Sequence, residues 1–258
     1  MKLLKTYLAM HLKVSLEYKA SFILSCLSQA IYMLVELFVI YALFIKFKLL
    51  NTFNIYEMLL GFSTIWLGYS LTELFGRGFD CFDKLITRGN FDLLLIRPRS
   101  IFIQIIGSDI CYEKLGRTIC ALALYIYSAT KVIININLLK ILLLVIMIIS
   151  CVILILSLFI IGASFCFITV QGIEAINVIT NGTKQVAEYP ISIYKKPVKF
   201  FFTFIIPVVL INYYPLNYLT DRTTNILYVL MPLFTVFLFI ISEYLFNLGM
   251  KKYCSTGS

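Results

Sequence analysis

LLKILLLVIMIISCVILILSLFIIGASFCFITV, residues 138–170, carries one charged side chain, Lys140, in its whole length. Roughly 20 apolar residues cross the hydrocarbon of a bilayer as a helix, so this stretch reads as a transmembrane span. Spanning β-strands would show short alternating segments instead, and the apolar runs here are long and unbroken. The composition agrees. Of 258 residues 61% are hydrophobic and 14% charged, with a mean hydropathy of +0.95. Soluble domains run near half apolar and a quarter charged, and a soluble core could not hide so much Ile, Leu and Phe from water.

Working outward, five more runs have spanning length. Toward the N-terminus they are Ser21 to Ile45, Ile55 to Phe75, and a stretch from Ile101 to Thr130 interrupted by Asp109, Glu113, Lys114 and Arg117. Beyond the opening run they are Phe200 to Leu219, with Pro207 inside it, and Ile226 to Phe246. The fold class is therefore an all-α integral membrane protein with six transmembrane helices. Residues 1–20 hold Lys2, Lys5, Lys13 and Lys19, with Leu4, Leu8, Leu12 and Leu16 every four residues, and read as an amphipathic interfacial helix. Residues 21–258 form one transmembrane domain.

The net charge of +9 serves orientation rather than nucleic acid. With the N-terminus inside, only Lys46, Lys48, Lys131, Lys140 and Arg222, five of the 22 basic side chains, fall outside. The positive-inside rule then puts both termini in the cytoplasm, which requires an even number of spans. Two longer connections become cytoplasmic loops, 76–100 and 171–199. The Asn181-Gly182-Thr183 sequon lies in the second, where glycosylation has no meaning. Tyr213, Tyr214 and Tyr218 on the outer side fit an aromatic belt.

Catalysis needs a constellation, and the sequence offers none. His11 is the single histidine, no G-x-x-x-x-G-K-[ST] loop is present, and the seven cysteines are scattered without a C-x-x-C pair. An autonomous enzyme and a metal centre are thereby excluded. Charge at membrane depth costs about 2.5–3.5 kcal/mol on insertion scales. Glu73, Glu243, Asp109 and Glu113 sit near the inner surface, where pairing or water relieves that cost, and the last two fall four apart on one helical face. Glu36 is different: it lies midway along the first span with no cation beside it in sequence. It faces a translocation path or a partner helix, or else makes an internal hydrogen bond.

The first loop, GRGFDCFDKLITRGNFDLLLIRPRS (76–100), holds an amphipathic stretch from Phe82 to Leu95 and closes on Arg97-Pro98. A short helix pressed on the inner surface can carry force from a soluble motor. Its end, RGNFDLLLIRPRS (Arg88 to Ser100), resembles the G-x-[FL]-D-x-x-L-x-[KR]-P signature of ABC-exporter permeases of the type-2 superfamily. Tyr189-Pro190 with Ile193-Tyr194, Phe204 to Pro207, Tyr214-Pro215, and the tail GMKKYCSTGS (Gly249 to Ser258) are similar to the same family's later motifs. The resemblance implies a bacterial cytoplasmic-membrane permease subunit that works beside a second six-span permease, the same or related, and separate ABC ATPase subunits. ATP and Mg²⁺ would then belong to those partners, with no cofactor on this chain. The coupling helix between spans 2 and 3 would dock the ATPase through Arg88, Gly89, Asn90, Asp92, Arg97 and Pro98. The expected cargo is an amphipathic drug, peptide or lipid. The residues alone leave two other readings open, a secondary transporter independent of ATP and a membrane scaffold or immunity protein.

Overall fold

A computed structural model describes residues 2–47, 54–133, 137–169, 172–189 and 191–254. Pro190 and the last four residues of the tail motif lie outside the described residues. The described residues are helical with no strand. In chain order the helices are α1 (Lys2–Glu17), α2 (Lys19–Phe47), α3 (Ile55–Asp80), α4 (Phe82–Thr87), α5 (Asn90–Ile96), α6 (Ile101–Ser108) and α7 (Leu115–Val132). There follow α8 (Leu138–Cys166), α9 (Gly172–Ala187), α10 (Lys196–Phe200), α11 (Val208–Leu219), α12 (Leu227–Leu230) and α13 (Thr235–Lys251).

Helices stand at all six positions the hydropathy picked out. Among the described residues three are long and apolar enough to cross a membrane by themselves: α2 over Lys19–Ala42, α8, and the rod Leu227–Lys251 made by α12, a tighter turn at Met231–Phe234, and α13. The second position is α3 and the third is α7, which carry more polar residues. The fifth is not a straight span. A π-helical turn, Phe201–Ile205, follows α10, and the chain then bends by 96° into α11 at Ile206 and Pro207. Proline explains the break, since it has no N–H to continue the ladder and restricts the residue before it.

The third position corrects another expectation. Asp109 sits in the non-helical link after α6, and Glu113 in a 3₁₀ turn at Tyr112–Lys114, so the two do not share a helix face. Asp109 pairs with Arg77 instead, at 3.5 Å, while Glu113 is exposed.

Helix α3 is the axis of the bundle and packs along α7 and α8, while α8 packs along α13. Lipid tails are as apolar as leucine, so close approach of small residues holds such helices together. Gly68 serves this purpose: a Cβ there would run into the Cys151 side chain of α8. Two apolar clusters result. One gathers Phe79, Phe82, Phe91, Phe159 and Phe246. The other gathers Phe62, Trp66, Tyr125, Met147 and Leu219.

Ion pairs bracket the bundle. At one end Arg222 and Asp221, in the turn after α11, reach Glu57 at the start of α3 (2.6 Å) and Lys140 at the start of α8 (2.8 Å). The Glu57 carboxylate also accepts the backbone N–H of Asn54 at 2.9 Å, closing the first turn of α3. At the other end α1 docks on α6 and the 3₁₀ turn. His11 Nε2 lies 3.0 Å from the Gly107 carbonyl, and the Tyr112 hydroxyl donates to the Leu8 carbonyl at 3.0 Å. Leu4, Leu12 and Leu16 of α1 stay exposed.

Candidate functional site

The stretch 171–199, expected as a cytoplasmic loop, is mostly helix. Its Gly172–Ala187 segment, α9, packs against α8, α3 and α11. It brings Lys184 and Glu188, each 6% exposed, to the middle of the bundle. The indole N–H of Trp66 donates to Glu188 Oε1 at 3.0 Å, and Trp66 lies near the midpoint of α3. Lys184 Nζ sits 3.7 Å from the Trp66 ring centre, 5.1 Å from that of Tyr32 and 5.5 Å from that of Tyr69. It also donates to the Tyr32 hydroxyl at 3.4 Å. A desolvated ammonium over an aromatic face gains about 2 kcal/mol, which offsets part of the cost of its burial.

Glu36, the candidate from sequence, belongs to this network. It is half-buried on α2, near Tyr32, and interacts electrostatically with both Lys184 and Glu188. The cation missing from its sequence neighbourhood arrives from α9.

A second tier lies toward the α1 end. Glu73 of α3 pairs with Lys114 at 3.2 Å and with Arg117 of α7. The Arg117 guanidinium also faces the rings of Trp66 and Tyr69, at 5.5 and 5.4 Å. Three carboxylates (Glu36, Glu73, Glu188) and three cations (Lys114, Arg117, Lys184) thus alternate through the space between α2, α3, α7 and α9. Buried charge persists when it is paired and hydrogen-bonded, and here α9 completes the balance.

The outer face of α9 is mixed: Glu174, Asn181 and Gln185 are exposed at helical spacing, beside exposed Val178 and Ile179. Asn181 Oδ1 accepts from the Tyr69 hydroxyl at 3.3 Å, which holds that face beside α3.

The loop residues form a separate site. Gly89 ends α4 with φ at 67°, a left-handed conformation that costs other residues energy. That turn sends Phe91 and Leu94 inward. Phe91 meets Phe82, Phe167 and Tyr253 with ring centres 5.1–5.4 Å apart. The loop signature and the tail motif are therefore one cluster, since Tyr253 of the tail stacks on Phe91 of the loop. Gln104 fastens the far side, its Nε2 donating to the Leu94 and Arg99 carbonyls at 3.2 Å each. What remains outside is Arg88, Asn90, Arg97 and Pro98, with Leu93 and with Ile96 at 79% exposed. Gly89 and Asp92 are half-buried, and Asp92 is engaged within the chain.

Sequence reading singled out Glu36 and the loop, and did not single out Lys184, Glu188 and Trp66, which the fold gathers beside Glu36. A signal existed: Lys184 and Glu188 stand four apart on an amphipathic stretch. It reads equally well as a solvated surface helix.

Apolar helices of spanning length, packed around a balanced set of buried charges, define a multi-pass membrane protein. Residues 30–257 match the family described as ABC-2 family transporter protein, and the chain belongs to that family. The family supplies membrane components of transport that work with ABC ATPase partners and are not themselves catalytic. No curated protein and no solved structure matches the chain significantly.

Proposed function

We propose that this chain is one of two six-span permease subunits forming the translocation path of an ATP-driven exporter in a bacterial cytoplasmic membrane. Both termini face the cytoplasm, residues 1–20 lie on the membrane, and residues 21–258 form the permease domain. ATP and Mg²⁺ are bound by separate ATPase subunits, which dock on Arg88, Asn90, Arg97 and Pro98, with Gly89 and Asp92 shaping that surface. Glu36 borders the path.

The observation carrying this reading is the pair of exposed amides on α9. Asn181 and Gln185 are exposed on a helix that reaches the level of Trp66, between helices of spanning length. Polar groups turned to lipid at that depth cost several kcal/mol, so such a face belongs against a water-filled path or a partner. Movement of that path then needs an equilibrium that nucleotide biases, supplied through the docked ATPase.

Single cysteines at Asn181→Cys and Gln185→Cys test the reading in native membranes co-expressing the ATPase. A membrane-impermeant maleimide should label both above the level of the native cysteines. A non-hydrolysable ATP analogue should change the rate severalfold. Absence of labelling at both positions, or a rate indifferent to nucleotide, would overturn it.

A further inference from the structure

A pocket of about 50 Å³ opens between α3, the end of α9 and α11. Met58, Phe62, Val208, Val209 and Leu216 make most of its wall apolar. Glu57, Glu188, Asn212, Tyr189 and Tyr213 supply its polar side chains. Asn212, 9% exposed, donates through Nδ2 to the Gly61 carbonyl at 3.1 Å and the Ala187 carbonyl at 3.3 Å. Those two bonds fix the amide, and its Oδ1 is buried without a hydrogen-bond partner. Glu188 adds a carboxylate held by Trp66, and Glu57 a second one already engaged by Arg222. No lysine or arginine is among the described lining residues.

We propose that this pocket binds an amphipathic amine. The alkyl body lies along the apolar wall, and the N–H groups of its ammonium head donate to Asn212 Oδ1 and the Glu188 carboxylate. A buried acceptor without a partner is costly, and a charged donor supplies a stronger bond than a neutral one. An anionic head brings no N–H to Asn212 Oδ1 and faces the Glu188 carboxylate, so it binds more weakly. As a statement about cargo this rests on the permease reading; as a statement about binding it does not.

Trp66 reports the event, because it is the sole tryptophan and its indole N–H is bonded to Glu188. The full chain, in phosphatidylcholine nanodiscs without ATPase, is titrated with dodecylamine, dodecanol and dodecyl sulfate. Dodecylamine should change Trp66 emission saturably, with about tenfold weaker responses to the other two, the scale expected of a charge-assisted bond. Glu188→Gln and Asn212→Leu should each weaken dodecylamine binding by about tenfold, while Glu243→Gln, on an exposed site of α13, leaves it unchanged. A monodisperse size-exclusion peak and unchanged helical circular dichroism of each variant check that the bundle is intact. Equal responses to the three amphiphiles, a response that never saturates, or native affinity in both pocket variants overturns the proposal. Binding lost while Asn181→Cys still labels overturns this inference alone. Binding kept with no labelling overturns the permease reading alone.

Discussion

Arg117 shows how one residue can hold a charge network together. It is 2% exposed, pairs with Glu73, and faces Trp66 and Tyr69. Removing one partner of a buried pair leaves the other desolvated, at about 3–5 kcal/mol, whereas removing both is much milder. Arg117→Leu should therefore lower the thermal unfolding midpoint in detergent sharply. Glu73→Gln/Arg117→Leu should recover a large part of the loss, and a double variant as unstable as the single one would refute the pairing. Lys114, which also reaches Glu73, keeps the single variant from losing everything. Glu36 was recognisable from sequence because a carboxylate inside an apolar run is conspicuous. Lys184 and Glu188 were not, because lysine and glutamate four apart are common on any exposed helix.

At the scale of elements, the loop between α3 and α6 divides its residues by direction. Phe91 and Leu94 anchor it, Gly89 turns it, and the charged residues are left outward. Phe91 and Tyr253 lie in edge-to-face contact at 89° although they are distant in sequence, so the tail clamps the loop. Phe91→Ala and Tyr253→Ala should each accelerate tryptic cleavage after Arg88 severalfold. The double variant should fall short of the product of the two, as residues in contact are not additive. Fully multiplicative rates would show that the contact carries no energy. The signature itself was legible in sequence, being a local string. Its partnership with the tail was not, since nothing local links residues 91 and 253. Helix α9 was expected as part of a cytoplasmic loop, because its mixed sequence shows neither the apolar length of a span nor the charged partners that hold it among them.

For the whole molecule, membership of the ABC-2 family makes the exposed loop face the place to seek the ATPase. Arg88→Ala/Arg97→Ala, and separately Ile96→Asp, should reduce co-purification of the ATPase severalfold while leaving membrane insertion intact. Their side chains are exposed, so the fold should tolerate both changes. Undiminished complex in both variants would remove the docking role.

The sequence by itself determined the solvent of this protein and the positions of its apolar helices. Hydrophobic run length is a local property that hydrocarbon reads directly, as residues 138–170 display most plainly. It also supplied the loop and tail motifs and the isolation of Glu36. Only the tertiary structure decided that the fifth position bends by 96°, that Asp109 pairs with Arg77, and that α9 carries Lys184 and Glu188 to Trp66. The reason is physical. Whether a charged helix lies in water or among other helices depends on the partners available to its charges, and those partners sit on α2, α3 and α7, far away in the chain.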